Sequence, residues 1–429
     1  MAKVKLYNIL DKKILFDASS LKFIQLTNEV ADTIDVLSAT EKEEYLNALS
    51  SSEPLKPRKP SRNNRECDKV AFILSKDCNL KCKYCYEDFN FGIKEKKHMN
   101  LEDAKKAIDF IATHYDSVRT FTFFGGEPLL NYGIIGDVCE YILSKFKESP
   151  PIFSIITNGT ILNDEILTLL NKYRIGVFIS LDGTKETHDM NRIYLDGRGS
   201  HHKIIENIGK LNESRTFSLC VQAGVSRSVF DFSKERGICL TEYFRSLGID
   251  GLHLFPVSSS DPSESFDDVP DKEFEEFFMR EMFASIDSVA TDNPLPINAL
   301  SIMFDNISNR TIHEAGCEIS MGNHFINQSG DVYNCPMLLS DPKMKIGNIH
   351  NPETLDNILN SHRLMDEVNY ETIAKCQECD LKNICNVCPA FNYINNGSFS
   401  APADVVCRYN HVLLKCLLYK MSDFVVTQV

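Results

Sequence analysis

Three cysteines, Cys78, Cys82 and Cys85, lie in the run CNLKCKYC just after the apolar stretch Val70-Ala71-Phe72-Ile73-Leu74. With three residues and then two between them, their thiolates can hold three corners of a cubane iron–sulfur cluster and leave the fourth iron without a protein ligand. An iron with an open position can bind and activate a small molecule. An incomplete zinc knuckle would use the same residues, but structural zinc sites are normally closed by a fourth ligand, and no other residue of this loop is Cys or His.

A second group of cysteines occupies the far end. Twelve residues separate Cys317 from Gly330 and four separate Gly330 from Cys335; Cys376, Cys379, Cys385, Cys388 and Cys407 follow. In an extracellular chain, fifteen cysteines would read as a disulfide framework. The residues Met1 to Leu6 form no apolar stretch of signal-peptide type, and no run of about eighteen apolar residues occurs, so a reducing cytoplasm is the expected setting. The pairs Cys376–Cys379 and Cys385–Cys388 also have zinc-ribbon spacing, and taken alone they leave that reading open.

The first loop, with Tyr84 directly before its last cysteine, resembles the cluster motif of the radical S-adenosylmethionine (radical SAM) enzymes. The resemblance implies S-adenosyl-L-methionine chelated at the open iron through its amino and carboxylate groups, and cleaved reductively to a 5′-deoxyadenosyl radical. The distal cysteines resemble the SPASM extension of peptide-modifying members. That pattern usually has three residues in its last short gap, whereas only Asn386 and Val387 separate Cys385 from Cys388. Carried across, Cys376, Cys379, Cys385 and Cys407 would close one auxiliary cluster, and Cys317, Cys335 and Cys388 would hold a second. Three [4Fe-4S] clusters are implied in all. The segment from Arg310 to Gly316 contains no cysteine, so a fourth protein ligand for the second auxiliary cluster stays open. An iron left free there would suit a substrate thiolate.

These groups need a scaffold of some size. A chain of 429 residues with 43% apolar and 10% aromatic residues can build two or three cored domains. A net charge of −14 argues against nucleic acid and anionic membrane surfaces as partners. From residue 67, strand-like runs appear at Val70–Leu74, Thr120–Phe124, Phe153–Ile156, Val177–Leu181, Phe217–Ala223 and Leu252–Val257, with helical patterns in most of the gaps. Six such units predict a parallel sheet, and the resemblance implies a partial (β/α)6 TIM barrel with its site at the strand C-terminal ends.

Motifs fall at those ends. Gly125-Gly126-Glu127-Pro128 follows the second strand; the glycines allow close backbone approach, and Glu127 can accept from the methionine ammonium. Alone, the motif reads equally as a tight turn. Thr157-Asn158-Gly159 follows the third strand and Ser180-Leu181-Asp182-Gly183 ends the fourth. By the resemblance, Ser180 would bind the ribose hydroxyls, Arg192 would pair with the methionine carboxylate, and Asp182 would position backbone; each also has an ordinary reading as a cap or an ion pair. His188 reads as a packed or capping histidine, and Cys139, Cys220 and Cys416 as core residues.

Flanking modules complete the expected division. Residues 4–27 hold three strand-like runs, followed by helical patterning from Asn28 to Leu37 and from Thr40 to Leu49, with Thr40-Glu41-Lys42-Glu43 written like a capping box. This winged-helix-like α+β layout over 1–52 is similar to the peptide-recognition element of ribosomal-peptide maturases, which adds a leader peptide to a sheet edge; a plain packing domain is the alternative. A basic, proline-punctuated linker (53–66), the core (67–257), a helical bridge (258–312) and the auxiliary-cluster domain (313–429) follow. The expected activity is hydrogen abstraction from a ribosomally made precursor peptide and an intramolecular crosslink, foremost a cysteine thioether. A leader-bearing peptide and a flavodoxin or ferredoxin-type reductant would be its partners. An anaerobic sulfatase-maturating enzyme and a non-catalytic iron–sulfur or zinc protein are the alternatives.

Overall fold

The run Val70–Leu74 is buried without alternation, as expected of a strand covered on both faces. The computed structural model describes residues 4–38, 40, 41, 44, 55–57, 65–85, 98–257, 262–312, 323–359, 373–385 and 387–424. Its strands, in chain order, are β1 (Val4–Ile9), β2 (Lys12–Asp17), β3 (Lys22–Leu26), β4 (Lys56–Pro57), β5 (Glu66–Ser75), β6 (Leu80–Cys82), β7 (Ser117–Gly125) and β8 (Ile152–Thr157). Then come β9 (Gly176–Ser180), β10 (Arg192–Tyr194), β11 (Leu219–Val225), β12 (Gly251–Pro256), β13 (Thr311–Ile312), β14 (Asn323–Ile326), β15 (Asp331–Tyr333) and β16 (Gly347–Asn348).

The six runs read from the sequence are β5, β7, β8, β9, β11 and β12, side by side and parallel. Helices join them, several with the side-chain caps that fix a helix start. Asn100, Asn163 and Ser226 each accept a backbone N–H from the first turn of the helix they precede. One face of β5 and β7 buries Val70, Phe72, Phe121 and Phe123 in the main core, and the other packs Ala71, Ile73 and Phe124 against Phe325 and Tyr333.

That second face shows what the periodicity did not predict. The sheet has nine strands, because β14 pairs parallel with β5 and brings β15 and β16 with it. The C-terminal region therefore continues the barrel sheet. The hairpin from β14 to β15 turns through Gly330, whose φ of +77° and closeness to the His350 ring leave no room for a side chain.

The N-terminal sheet is an antiparallel meander, β1–β2–β3. Leu15 and Leu26 pack on Ala31 and Ile34 of the helix Asn28–Val36, while Tyr7, Ile9, Ile14 and Phe16 join the main core. Helix Asp404–Met421 lies against this sheet: Lys12 Nζ donates to the Tyr419 carbonyl at 2.8 Å and to Asp423 at 2.5 Å. The capping box sits two residues earlier than expected. Ser38 and Glu41 exchange the reciprocal bonds, with Ser38 N to Glu41 Oε2 at 2.8 Å, because Ser38 already has glutamate three residues on. Most of the expected helix over Thr40–Leu49 and of the basic stretch 53–66 lies outside the described residues, although β4 within that stretch pairs with β13. The bridge helix runs over Asp271–Ser288. Among the described residues, no helix is long and apolar enough to cross a membrane.

Candidate functional site

At the C-terminal end of β5 the chain turns into the first cysteine loop. The Ser75 carbonyl accepts from Gly126 N and the Asp77 carbonyl from Glu127 N, both at 2.8 Å, so the loop and the Gly-Gly-Glu turn are tied together by backbone. Gly125 has φ +138°, and a Cβ there would sit 2.2 Å from the Ser75 oxygen. Only glycine lets the two strand ends approach this closely.

The loop continues into β6, which pairs antiparallel with β10 so that Cys82 lies opposite Arg192. Asn158 Nδ2 lies 3.7 Å from Cys78 Sγ and 2.8 Å from Asn79 Oδ1, and Asn79 Nδ2 donates to Thr160 Oγ1 at 2.8 Å. Arg192 Nη1 lies 3.9 Å from Cys82 Sγ. Cys78 and Cys82 are half-buried and Cys85 is exposed. Burial pushes the Cys78 thiol up to about 11, so a thiolate there requires a positive partner such as iron.

Glu127 is fully buried at the core of the turn. It accepts from Leu129 N at 3.0 Å, Thr157 Oγ1 at 2.7 Å and Asn158 N at 2.7 Å. Burial lifts its carboxyl to about 7 against the pull of those three donors. In this structure, then, Glu127 braces the β7 and β8 ends together.

Asp182 is the hub of the next strand end. Its side chain accepts from the Tyr84 hydroxyl, from Arg192 Nε at 2.9 Å and from Gly224 N at 3.1 Å. The Arg192 guanidinium stacks over the Tyr84 ring at 5.2 Å. Behind it, Asp182 N donates to His188 Nδ1 at 3.2 Å, His188 Nε2 lies 2.8 Å from Ser200 Oγ, and Ser200 donates to the Arg192 carbonyl at 2.7 Å. Since Nδ1 accepts, the proton of this imidazole is on Nε2. Burial holds His188 down to about 4, in keeping with a neutral positioning residue. Ser180 ends β9 half-buried, two residues from Asp182.

The distal cysteines form two sets. Burial, and after it the charge of neighbouring cysteines, raises the thiols of Cys376, Cys385 and Cys407; Cys407 and Cys379 act on Cys376, which reaches about 11. Four neighbouring cysteines are a ligand set that a multivalent metal centre can use. Beside them His411 meets Asp380; burial opposes its charge, but hydrogen bonds to Asp380 and neighbouring groups push it up to about 10. Cys335 and Cys388 share a separate apolar cluster with Leu338, Ala390 and Phe399. The Cys388 thiol faces the Ala390 and Phe391 amides at the start of helix Pro389–Asn396. Cys317 lies outside the described residues. Cys139 and Cys416 are buried in the core, and Cys220 is half-buried.

Sequence reading did not single out Asn79, Thr160, Ser200, Asp380 or His411 as site residues. Asn79 and Thr160 flank the recognised motifs, but their partners are some eighty positions away, and no local spacing marks such pairs.

Residues 72–225 match the radical SAM superfamily model, and residues 317–389 match that of the SPASM iron–sulfur cluster-binding domain. A cysteine-type anaerobic sulfatase-maturating enzyme of Clostridium novyi is 27% identical over 330 residues, covering 72% of this chain and 84% of that protein. The fold is shared with native anSMEcpe solved with bound AdoMet and Cp18Cys peptide, at TM-score 0.68 and 18% identity, covering 84% of this chain and 99% of that one. It is shared also with Streptococcus suis SuiB bound to precursor peptide SuiA, at TM-score 0.55 and 16% identity, covering 95% of this chain and 100% of that one. Cysteine spacing, fold and both matches agree that the chain contains a radical SAM domain over residues 72–225 and a SPASM iron–sulfur cluster-binding domain over residues 317–389.

Proposed function

We propose that this enzyme oxidises a residue of a peptide, using S-adenosyl-L-methionine bound at a [4Fe-4S] cluster held by Cys78, Cys82 and Cys85. The observation that carries the reading is the convergence of those cysteines, the Gly125-Gly126-Glu127 turn and the Asp182–Arg192 pair at the C-terminal ends of one parallel sheet. When bound, the cluster supplies the electron that cleaves the sulfonium and yields the deoxyadenosyl radical.

The protein's own contribution is placement. Asn158 and Arg192 direct N–H groups at two of the three sulfurs. Gly125 and Gly126 bring backbone alongside the loop, and Ser180 and Arg192 offer a hydroxyl and a guanidinium to the ribose and carboxylate of the cofactor. Cys376, Cys379, Cys385 and Cys407 are the ligands of one auxiliary cluster and Cys317, Cys335 and Cys388 of another, three clusters in all. A flavodoxin or ferredoxin-type protein in the cytoplasm is the source of the electron.

Within this class we favour an intramolecular crosslink, foremost a thioether. The balance would be one substrate hydrogen to deoxyadenosine, the thiol proton to solvent and one electron to an acceptor, which a cluster held by the distal cysteines would supply, a net loss of two hydrogens. Two features support it: the N-terminal three-stranded sheet with an edge at β3, suited to strand addition by a leader peptide, and a likeness to SuiB spanning 95% of the chain. Formylglycine formation is the second reading, supported by the 27% identity to the sulfatase-maturating enzyme.

Anaerobic incubation of reconstituted enzyme with cofactor, reductant and two peptides separates the readings. A loss of two hydrogens that blocks thiol alkylation in a leader-bearing, cysteine-containing peptide supports the thioether. Conversion of a sulfatase-type cysteine peptide to an aldehyde supports the second reading. Absence of deoxyadenosine with either peptide overturns both.

A further inference from the structure

The N-terminal sheet meets the carboxylate that stands beside Cys379. The Tyr7 hydroxyl donates to Asp380 Oδ2, and Lys5 Nζ lies 3.1 Å from the same oxygen. Asp380 is buried and directly follows Cys379. On its other side, His411 Nε2 lies 3.2 Å from Asp380 Oδ1, while Nδ1 lies 2.9 Å from the Cys407 carbonyl oxygen. A carboxylate and a carbonyl can only accept, so both ring nitrogens carry protons and the imidazole is a cation. Ligand atoms of Cys379, Asp380 and His411 all lie within 4.8 Å of one another.

One metal in place of this arrangement would be the simplest account of such a trio. The hydrogen bonds argue otherwise: both nitrogens are engaged as donors, and both Asp380 oxygens accept from protein groups. The trio is satisfied as a second shell around Cys379 and Cys407. Charges and hydrogen bonds beside the sulfurs are the means by which a protein sets a cluster's potential.

We propose that Tyr7, Lys5, Asp380 and His411 form a fixed charge relay that sets the reduction potential of the cluster at Cys376, Cys379, Cys385 and Cys407, making the N-terminal sheet part of that electron acceptor. This rests on the reading of those four cysteines as cluster ligands. The His411 cation stabilises the more negative, reduced cluster and raises its potential. Asp380 fixes the ring and offsets part of its charge, and Tyr7 and Lys5 in turn blunt Asp380. A peptide seated on the N-terminal sheet would thus act on the same carboxylate that orients His411.

The test is a redox titration of the full-length reconstituted protein, followed by electron paramagnetic resonance. A background with Cys78, Cys82 and Cys85 replaced by alanine leaves only the auxiliary signals. His411→Gln is expected to lower one auxiliary midpoint and leave the other in place. Tyr7→Phe is expected to shift the same midpoint in the same direction by less, with iron content unchanged. Unchanged midpoints with full iron overturn the relay, as does lowered thermal stability with no shift, which would reduce these residues to packing. Should His411→Gln fail to retain iron, Tyr7→Phe decides. Failure of the underlying reading looks different: Cys376→Ala would then bind as much iron as the parent.

Discussion

The two cysteine regions reach comparable arrangements by opposite routes. Cys78, Cys82 and Cys85 are neighbours in the chain, so a short loop brings them together at little entropic cost. What the fold adds there is polar: Asn158, Asp182 and Arg192 converge from three other strand ends, and Asp182 accepts from Tyr84 of the loop itself. Cys376, Cys379, Cys385 and Cys407 span a longer stretch broken by the helix Pro389–Asn396, and it is burial against helix Asp404–Met421 that assembles them. A site closed by local spacing can be tuned by its polar surroundings, whereas a site closed by tertiary packing depends on the whole lobe being folded.

The largest test of that difference compares Cys82→Ala with Cys376→Ala. The first should bring deoxyadenosine formation down to background; the second should keep cofactor cleavage while losing peptide product. Chromatography of deoxyadenosine beside peptide mass spectrometry reads both, and equal loss of cleavage in the two variants would erase the distinction.

Next in size is Arg192→Ala. It strands the fully buried Asp182 without its cation, and breaking a buried pair in this way costs about 3–5 kcal/mol. Urea unfolding should show that loss, with partial recovery in Arg192→Lys, which restores charge but not the fork. A cost below about 1 kcal/mol would mean that solvent reaches Asp182.

His188 gives a pH signature. Its folded value, about 4, lies below the ordinary 6.5, so between those values the unfolded chain binds more protons and stability falls as the pH drops. The whole step is worth about 3 kcal/mol. Unfolding free energies measured at pH 7 and pH 5 should differ by less in His188→Asn than in the parent; an equal difference would place the histidine outside the network.

The smallest effect belongs to a cysteine outside both sets. Cys416→Ala should cost about 1 kcal/mol, on the scale of one small buried group, and leave iron content untouched. Loss of iron would add Cys416 to the auxiliary ligands.

All six barrel strands were legible because each is a short apolar run bounded by turn residues, and their boundaries differ from the observed ones by a few residues. The cysteine loop and Gly-Gly-Glu turn were legible because chemistry fixes their local spacing. Other features were not. Pairing of β14 with β5 joins residues some 250 positions apart, and the brief run Asn323–Ile326 carries no periodic signal of its own. Arg192 was read as a cofactor contact, yet its partners here are Asp182 and Tyr84, which only the strand register reveals. Asp380 and His411 were not singled out, because Asp380 meets Tyr7 of β1, more than 370 positions away, and His411 meets Asp380, 31 positions away.

The shared edge between β5 and β14 has a practical side. From Lys69 to Phe72 the backbone of β5 is spoken for by a strand that enters the chain only after residue 322. A barrel produced by itself, ending near residue 257, would present that stretch as an open, apolar edge, the kind of surface along which chains stack on one another. Insolubility of the isolated barrel would therefore be a property of the cut, and a soluble fragment would need to carry its C-terminal strands along.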